Sequence, residues 1–254
     1  MIYGIFSDPH SNLEGLRVVL EECERAGAEK LVCCGDIVGY NADPAACVDL
    51  VREKNVICIR GNHERGLEDL KNGVLPNMNP YALEAIRYSY DAIGEERRGW
   101  LVSLPDLRLV DDIFYVFHGS PSHPDEYIFE LVEAAYALKS LVNDYPPPGN
   151  HLCFIGHTHV CAAYAFDPDN RKVEGSYVTE DTTFRLKPGY HYMFNVGSCG
   201  QYRGGMPVCS MVIFDSEKMT VSFRLLPYEV QKTQRKILEN GLPPFLAMRL
   251  GEGR

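Results

Sequence analysis

Three times within its first 65 residues the chain runs a short apolar segment into a loop of Asp, His, Asn and Gly, and twice of these straight into an amphipathic stretch. Alternating strands and helices satisfy that rhythm, and they predict a parallel sheet. The first unit is MIYGIF, then SDPHSN, then SNLEGLRVVLEECERAGA. In the last of these Leu13, Leu16, Leu20 and Cys23 share one helical face, and Ser11 and Glu14 stand at capping-box spacing. The second unit is KLVCCGD, followed by Asp43 as N-cap and Pro44 at the first helical position. The third, NVICIRGNHE, leads into helical and irregular text from about Gly66 to Trp100, read as an insertion flanking the loops (66–100).

Beyond it, IFYVFHG reads as a strand. Leu131, Ala134, Ala135, Leu138 and Leu141 form a helical stripe that Pro146, Pro147 and Pro148 are expected to end. After HLCFIGHTH come short strands, CAAYAF, KVEGSYV, TFRL, YHYMFNVGS, VCSMVIF and TVSFRLL, separated by turn residues, which predicts antiparallel pairing. The expected fold is α/β, a four-layer α-β-β-α sandwich of two mixed sheets flanked by helices, one sheet drawn from each half of the chain. Residues 229–254 read as a C-terminal helical tail, its first helix stopped by Gly241. At 254 residues and 45% hydrophobic, one domain over 1–254 is expected.

Seven side chains fitted to bind metal fall where these strands give way to loops: Asp8, His10, Asp36, Asn62, His118, His157 and His159. They occupy five blocks, SDPHSN, GDIVGY, GNHE, HGS and GHTH. In α/β sheets ligands gather beyond the carboxyl ends of the strands, where such blocks deliver their side chains. Each block alone has an ordinary reading, a surface loop, a turn or an Asx cap. Together, four histidines and two aspartates overfill one site and fit two ions sharing a carboxylate, about 3.5 to 4 Å apart. Carboxylate and imidazole donors suit two divalent ions, Mn²⁺ foremost, with Fe or Zn²⁺ next, better than Ca²⁺. His123, His151 and His191 lie outside the blocks and read as ordinary residues, although His123 sits in the loop leaving His118.

The ordered set D-x-H, G-D-x-x-G, G-N-H-E, H-G and G-H-T-H resembles the calcineurin-like metallophosphoesterase superfamily. SDPHSNLEGL, GDIVGYNADP and NVGSCGQYRGG resemble its small bacterial and archaeal phosphoesterases, over nearly the whole chain. The resemblance implies that Asp8, His10 and His159 hold one metal, that Asn62, His118 and His157 hold the second, and that Asp36 bridges them. A metal-bound hydroxide would then attack phosphorus in line. His63 is implied as general acid or hydrogen-bond donor to the leaving-group oxygen. Glu64, where many relatives carry Asp, is expected to orient His63 or raise its pKa. Pro9, between the first two ligands, is expected to stiffen the loop.

Arg60, which matches an arginine of Ser/Thr protein phosphatases, and Arg203, in the glycine-rich GQYRGG, are candidates to hold substrate phosphate. Gly39, Tyr40 and Asn41 stand where those phosphatases and the symmetric dinucleoside tetraphosphatases carry Asp-Arg-Gly. That departure favours a phosphodiesterase of small phosphate esters, with monoester hydrolysis beside it. A protein phosphatase or dinucleoside polyphosphate hydrolase is the alternative. Retention of His63 argues against a non-catalytic scaffold of the same fold.

A net charge of −10 with no basic run disfavours nucleic acid polymers as partners, and with them a nuclease. No apolar stretch approaches membrane-spanning length, no leader pattern opens the chain, and nine scattered cysteines include no C-x-x-C. These features predict a reducing, cytoplasmic setting without a membrane partner, and leave the oligomeric state open. Substrate choice is expected in 66–100 and 121–128, with Tyr40, Tyr127 and Tyr202 either stacking on a base or simply packing.

Overall fold

The computed structural model describes residues 1–145 and 151–254. The expected stop at Pro146 to Pro148 lies outside the described residues. The first half runs β1 (Ile2–Phe6), α1 (Leu13–Arg25), β2 (Lys30–Cys33), α2 (Pro44–Glu53), β3 (Ile57–Cys58), α3 (Asn62–Lys71) and α4 (Pro80–Val102). Then follow β4 (Leu107–Val110), β5 (Phe114–Phe117), α5 (Leu131–Asp144) and β6 (Leu152–Ile155). The remainder is β7 (Cys161–Asp167), β8 (Lys172–Tyr177), β9 (Thr183–Arg185), β10 (His191–Val196), β11 (Val208–Asp215), β12 (Thr220–Pro227), α6 (Val230–Glu239) and α7 (Pro244–Glu252).

The strands form two mixed six-stranded sheets in the orders β3-β2-β1-β11-β12-β9 and β4-β5-β6-β10-β7-β8. This is the expected sandwich of mixed sheets with helices outside, but one sheet does not come from each half. The parallel strands β1, β2 and β3 are extended by antiparallel β11, β12 and β9, and parallel β5, β6 and β10 are extended by β4, β7 and β8. The reason is burial on both faces. Tyr3, Ile5, Val32, Val116, Phe154, Phe194, Phe214 and Phe223 close the space between the sheets. Their neighbours along the same strands point outward: Phe6 and Cys33 to one set of helices, Cys153 and Ile155 to α5. A sheet lacking its C-terminal strands would leave one of those faces open.

Local signals mostly held. Pro44 opens α2 behind Asp43, whose carboxylate takes Lys236 Nζ at 2.7 Å and makes no side-chain cap bond. The cap of α1 is Asn12, accepting from Gly15 N–H at 3.1 Å, rather than Ser11. Ser11 Oγ instead accepts from Gly39 N–H (3.0 Å), tying the first loop to the second. The long helix α4 is interrupted at Gly94, where φ is 73°. Helices α6 and α7 pack with α4 and with Tyr40 through Ile237, Leu246 and Leu250, so the tail closes one side of the loop cluster.

Candidate metal centre

Every block opens at the carboxyl end of a parallel strand. Asp8 and His10 follow β1, Asp36 follows β2, Asn62 begins α3 after β3, His118 follows β5 directly, and His157 and His159 follow β6. The two sheets therefore present their loops to one another at a single edge. Asp8, His10, Asp36, His157 and His159 all adopt positive φ, between 44° and 65°, a region that non-glycine residues occupy rarely and at a cost. Five strained residues in one cluster show the surrounding structure dictating the backbone for the sake of the side chains.

The backbone is held by a dense set of bonds. Asp8 N–H donates to Gly35 O (3.0 Å), His10 N–H to Asp36 O (2.9 Å) and Gly200 N–H to Asp8 O (3.0 Å). Asn195 Nδ2 donates to Gly156 O (2.7 Å) and Thr158 Oγ1 (2.9 Å), bracing the GHTH turn, and Ser198 Oγ donates to Asp8 O (2.9 Å). Gly39 sits at φ 108°, and a Cβ there would collide with the His63 ring. Asn195 and Ser198 were missed as supporting residues; they lie in NVGSCG, where only the run of small and polar residues marks a tight loop.

Ligand atoms of Asp8, His10 and His159 group within 4.8 Å of one another, as do those of Asp36, His118 and His157. His10, Asp36 and His63 form a third such group between them. Asp36 Oδ2 lies 3.6 Å from His10 Nε2 and 3.3 Å from His118 Nε2, the position of a shared donor, while its Oδ1 accepts from His63 N–H at 2.8 Å. Asn62 Oδ1 lies 3.1 Å from His118 Nε2.

Hydrogen bonding fixes the tautomers. His10 Nδ1 faces Val38 O (3.1 Å), His159 Nδ1 faces Gln201 O (2.7 Å) and His118 Nδ1 faces Cys34 O (2.8 Å). A carbonyl only accepts, so each Nδ1 carries a proton, and in the neutral ring the Nε2 lone pair turns inward. Likewise His157 Nε2 donates to Asp125 O (3.2 Å), leaving its Nδ1 as the lone pair. With the rings neutral, as metal binding requires, two pairs of acceptors confront each other, His10 Nε2 with His159 Nε2 and His118 Nε2 with His157 Nδ1, both at 3.0 Å. Buried Asp8 Oδ1 adds an acceptor with no donor among the described residues. Nitrogens about 3 Å apart are what two bonds of about 2.1 Å at a right angle produce. The donor set fits two divalent cations, each ring held by a backbone carbonyl behind it.

Electrostatics agree. Burial alone would raise Asp8 and Asp36, but His159 and His10 beside the first, and His118, His63 and His10 around the second, hold both below the usual carboxylate range. Burial keeps His159 low, helped by Arg203, and brings His157 to about 4, helped by His118. For His118 burial is outweighed by Asp36 and Asp8, which lift it to about 9, so its inward Nε2 holds a proton that a cation in the same place would displace.

His63 is buried beside Asp36, its Nε2 4.0 Å from Oδ2, its ring 4.5 Å from His10 and 4.8 Å from Tyr40, and its Nδ1 has no partner among the described residues. Burial lowers it to about 3 despite Asp36. Glu64 does not orient it. The Glu64 carboxylate accepts from the N–H groups of Gly61 (2.8 Å), Asp36 (2.9 Å) and Ile37 (2.8 Å), joining two ligand loops, because a residue at the third position of a helix folds back on its own N-terminus.

Arg60 is committed elsewhere, bidentate on Asp106 (2.8 and 3.0 Å) and bound to Glu68 (2.8 Å). Arg203 does stand at the site, its main-chain N–H on His159 O (3.0 Å). Tyr202 is core, its hydroxyl on Val178 O, and does not reach the rim. Tyr40 and Tyr127 do, Tyr127 stacking 4.0 Å over His157. His123 is absorbed in the turn after His118, its Nδ1 accepting from Asp125 N–H at 3.1 Å, and His151, just before β6, faces His191, at the start of β10, at 2.9 Å. Arg249, on α7, reaches the rim unannounced; on an amphipathic helix an arginine looks like any solvated one.

Residues 1–219 match the calcineurin-like phosphoesterase superfamily domain, and the chain belongs to that superfamily. It is 34% identical to an uncharacterized protein of Methanocaldococcus jannaschii, over 99% of this chain and 98% of the other. The crystal structure of a metallophosphoesterase from Sphaerobacter thermophilus superposes with a TM-score of 0.84 at 33% identity, covering 100% of this chain and 99% of that one. A hypothetical protein from Pyrococcus horikoshii shares the fold, with a TM-score of 0.74 at 19% identity over 100% of this chain and 98% of that one. The His and Asp clusters fit a metal-dependent phosphoesterase. No helix among the described residues is long and apolar enough to cross a membrane.

Proposed function

We propose that this protein hydrolyses phosphodiester bonds in small phosphate esters at a binuclear centre, with monoesters as slower substrates. The observation that carries the reading is the pair of facing acceptors at 3.0 Å on either side of Asp36 Oδ2. Two divalent ions held there, Mn²⁺ by preference, would polarise the ester and supply the nucleophile from water. Asp8, His10 and His159 would hold one ion, Asn62, His118 and His157 the other, and Asp36 both.

His63 then meets the leaving group. Held neutral by burial, it offers a ring N–H to the leaving oxygen as a hydrogen bond, stabilising charge as the P–O bond breaks. Glu64 keeps the Asp36 loop and the start of α3 in register for it. The protein-phosphatase alternative loses support because Gly39, Tyr40 and Asn41 bring no arginine and Arg60 is already neutralised by Asp106 and Glu68. The compartment we expect is the cytoplasm.

The test is turnover of a chromogenic diester beside its monoester, with chelator-stripped protein to which Mn²⁺, Fe²⁺ or Zn²⁺ is returned. Metal-dependent hydrolysis favouring the diester is expected. Monoester preference would turn the reading toward a phosphatase, and metal-replete protein inert to both would remove it.

A further inference from the structure

The rim beside the His10–His159 pair carries positive charge that the ligand set does not use. Arg203, in the loop after β10, and Arg249, on α7, place their guanidinium carbons 5.9 and 5.8 Å from the centroid of one ring, Tyr40. That ring lies 4.6 Å from His10 and 6.2 Å from His159. Both arginines are partly buried.

Their hydrogen-bonding capacity is largely open. Arg203 donates from Nη2 to Gln201 Oε1 (2.9 Å), while its Nε and Gln201 Nε2 are buried without acceptors among the described residues. Arg249 donates from Nε to the main-chain oxygen of Arg254 (2.6 Å) and lies over Phe245 at 5.6 Å. Burial, then Arg203, bring Arg249 down to about 10, with Tyr40, Arg254 and Tyr127 its next neighbours, and among the described residues no Asp or Glu side chain is paired with it. Arg60 and Arg97, by contrast, are each clasped by an aspartate. Two like charges gathered on one ring are unfavourable unless an anion joins them. Tyr127, stacked on His157, lies near enough for Arg203 to act on its hydroxyl.

We propose that Arg203 and Arg249 form a second anion subsite, and that the substrate is a phosphate ester bearing a further phosphate beside the scissile one. The inference rests on the phosphodiesterase reading for what becomes of the ligand. The subsite takes no part in bond making or breaking. It clamps the second phosphate through guanidinium N–H groups while Tyr40 and Tyr127 bound the space between.

Two nitrophenyl esters of thymidine 5′-phosphate, one with a free 3′-hydroxyl and one with a 3′-phosphate, isolate the added charge with a common leaving group. Wild-type kcat/KM is expected to be about ten-fold or more higher for the 3′-phosphorylated ester, chiefly through KM. Arg249→Gln should bring that ratio toward one, and Arg249→Lys should keep part of it. A ratio near one in wild-type enzyme that cleaves both esters overturns the subsite and leaves the phosphodiesterase reading standing. Calorimetry of thymidine 3′,5′-bisphosphate against thymidine 5′-phosphate, on metal-loaded protein, reads the subsite without turnover. Tighter binding of the bisphosphate, lost in Arg249→Gln, supports it even if neither ester is cleaved, an outcome that would count against the hydrolase alone. Equal binding, or a preference untouched by Arg249→Gln, overturns it.

Discussion

On the floor of the candidate site, five of the seven candidate ligand residues hold left-handed backbone and are buried, whereas at the rim Tyr127, Arg203 and Arg249 keep ordinary backbone and stay partly open, and buried Tyr40 shares the floor's positive φ. The floor's side chains are braced from behind by the main-chain carbonyls of Val38, Cys34 and Gln201, in loops that leave the carboxyl ends of β2 and β10. Those of the rim hang from loops and from a C-terminal helix. Geometry over-determined in this way suits chemistry that fails with small displacements, and a looser rim suits selection among ligands.

The sharpest way to break this contrast is Asp36→Asn. Loss of bound metal and a fall in kcat/KM of about 10³-fold or more are expected, read by metal analysis beside kinetics. Retention of both ions would mean that Oδ2 is not shared. His63→Ala should come next, lowering kcat by about 10² to 10⁴ with metal content unaltered. Unchanged turnover would remove His63 from the floor's chemistry.

Glu64→Ala probes bracing rather than reaction. It strips the acceptor from the buried N–H groups of Gly61, Asp36, Ile37 and Val38 and is expected to destabilise by about 3 kcal/mol or more, lowering the melting temperature. A variant as stable as wild type would show that the Glu64 bonds do not hold the two loops. The smallest effect belongs to Arg60→Ala. With its guanidinium on partly exposed Asp106 and Glu68, kcat/KM should change by less than about two-fold and stability by about 1 kcal/mol or less. A large loss of activity would bring Arg60 back to the substrate.

The floor was legible because its residues are chemically specific and recur at strand ends, where fold and function coincide. Asp8 through His159 could be read in order, and the structure brings all seven together. Which strands share a sheet was not legible. β1 pairs with β11 across more than 200 residues, and no local pattern encodes a partner at that distance. Glu64 misled by adjacency: beside His63 in sequence, it turns back along the start of α3. Arg60 and Arg203 were indistinguishable as isolated arginines, since only the folded chain reveals which of them already has carboxylates. Arg249 carried no signal, because a helix that covers a site and one that covers a core share the same periodicity.

The confronting lone pairs have a thermodynamic consequence apart from turnover. In the unfolded chain His10, His118, His157 and His159 are far apart and no cluster exists, so an ion that satisfies them binds almost wholly to the folded state. By mass action each such ion adds RT ln(1 + [L]/Kd) to stability, about 2.7 kcal/mol at a hundred-fold excess over Kd. The order in which different ions raise the unfolding temperature thus ranks them by affinity for this donor set, with no substrate in the tube.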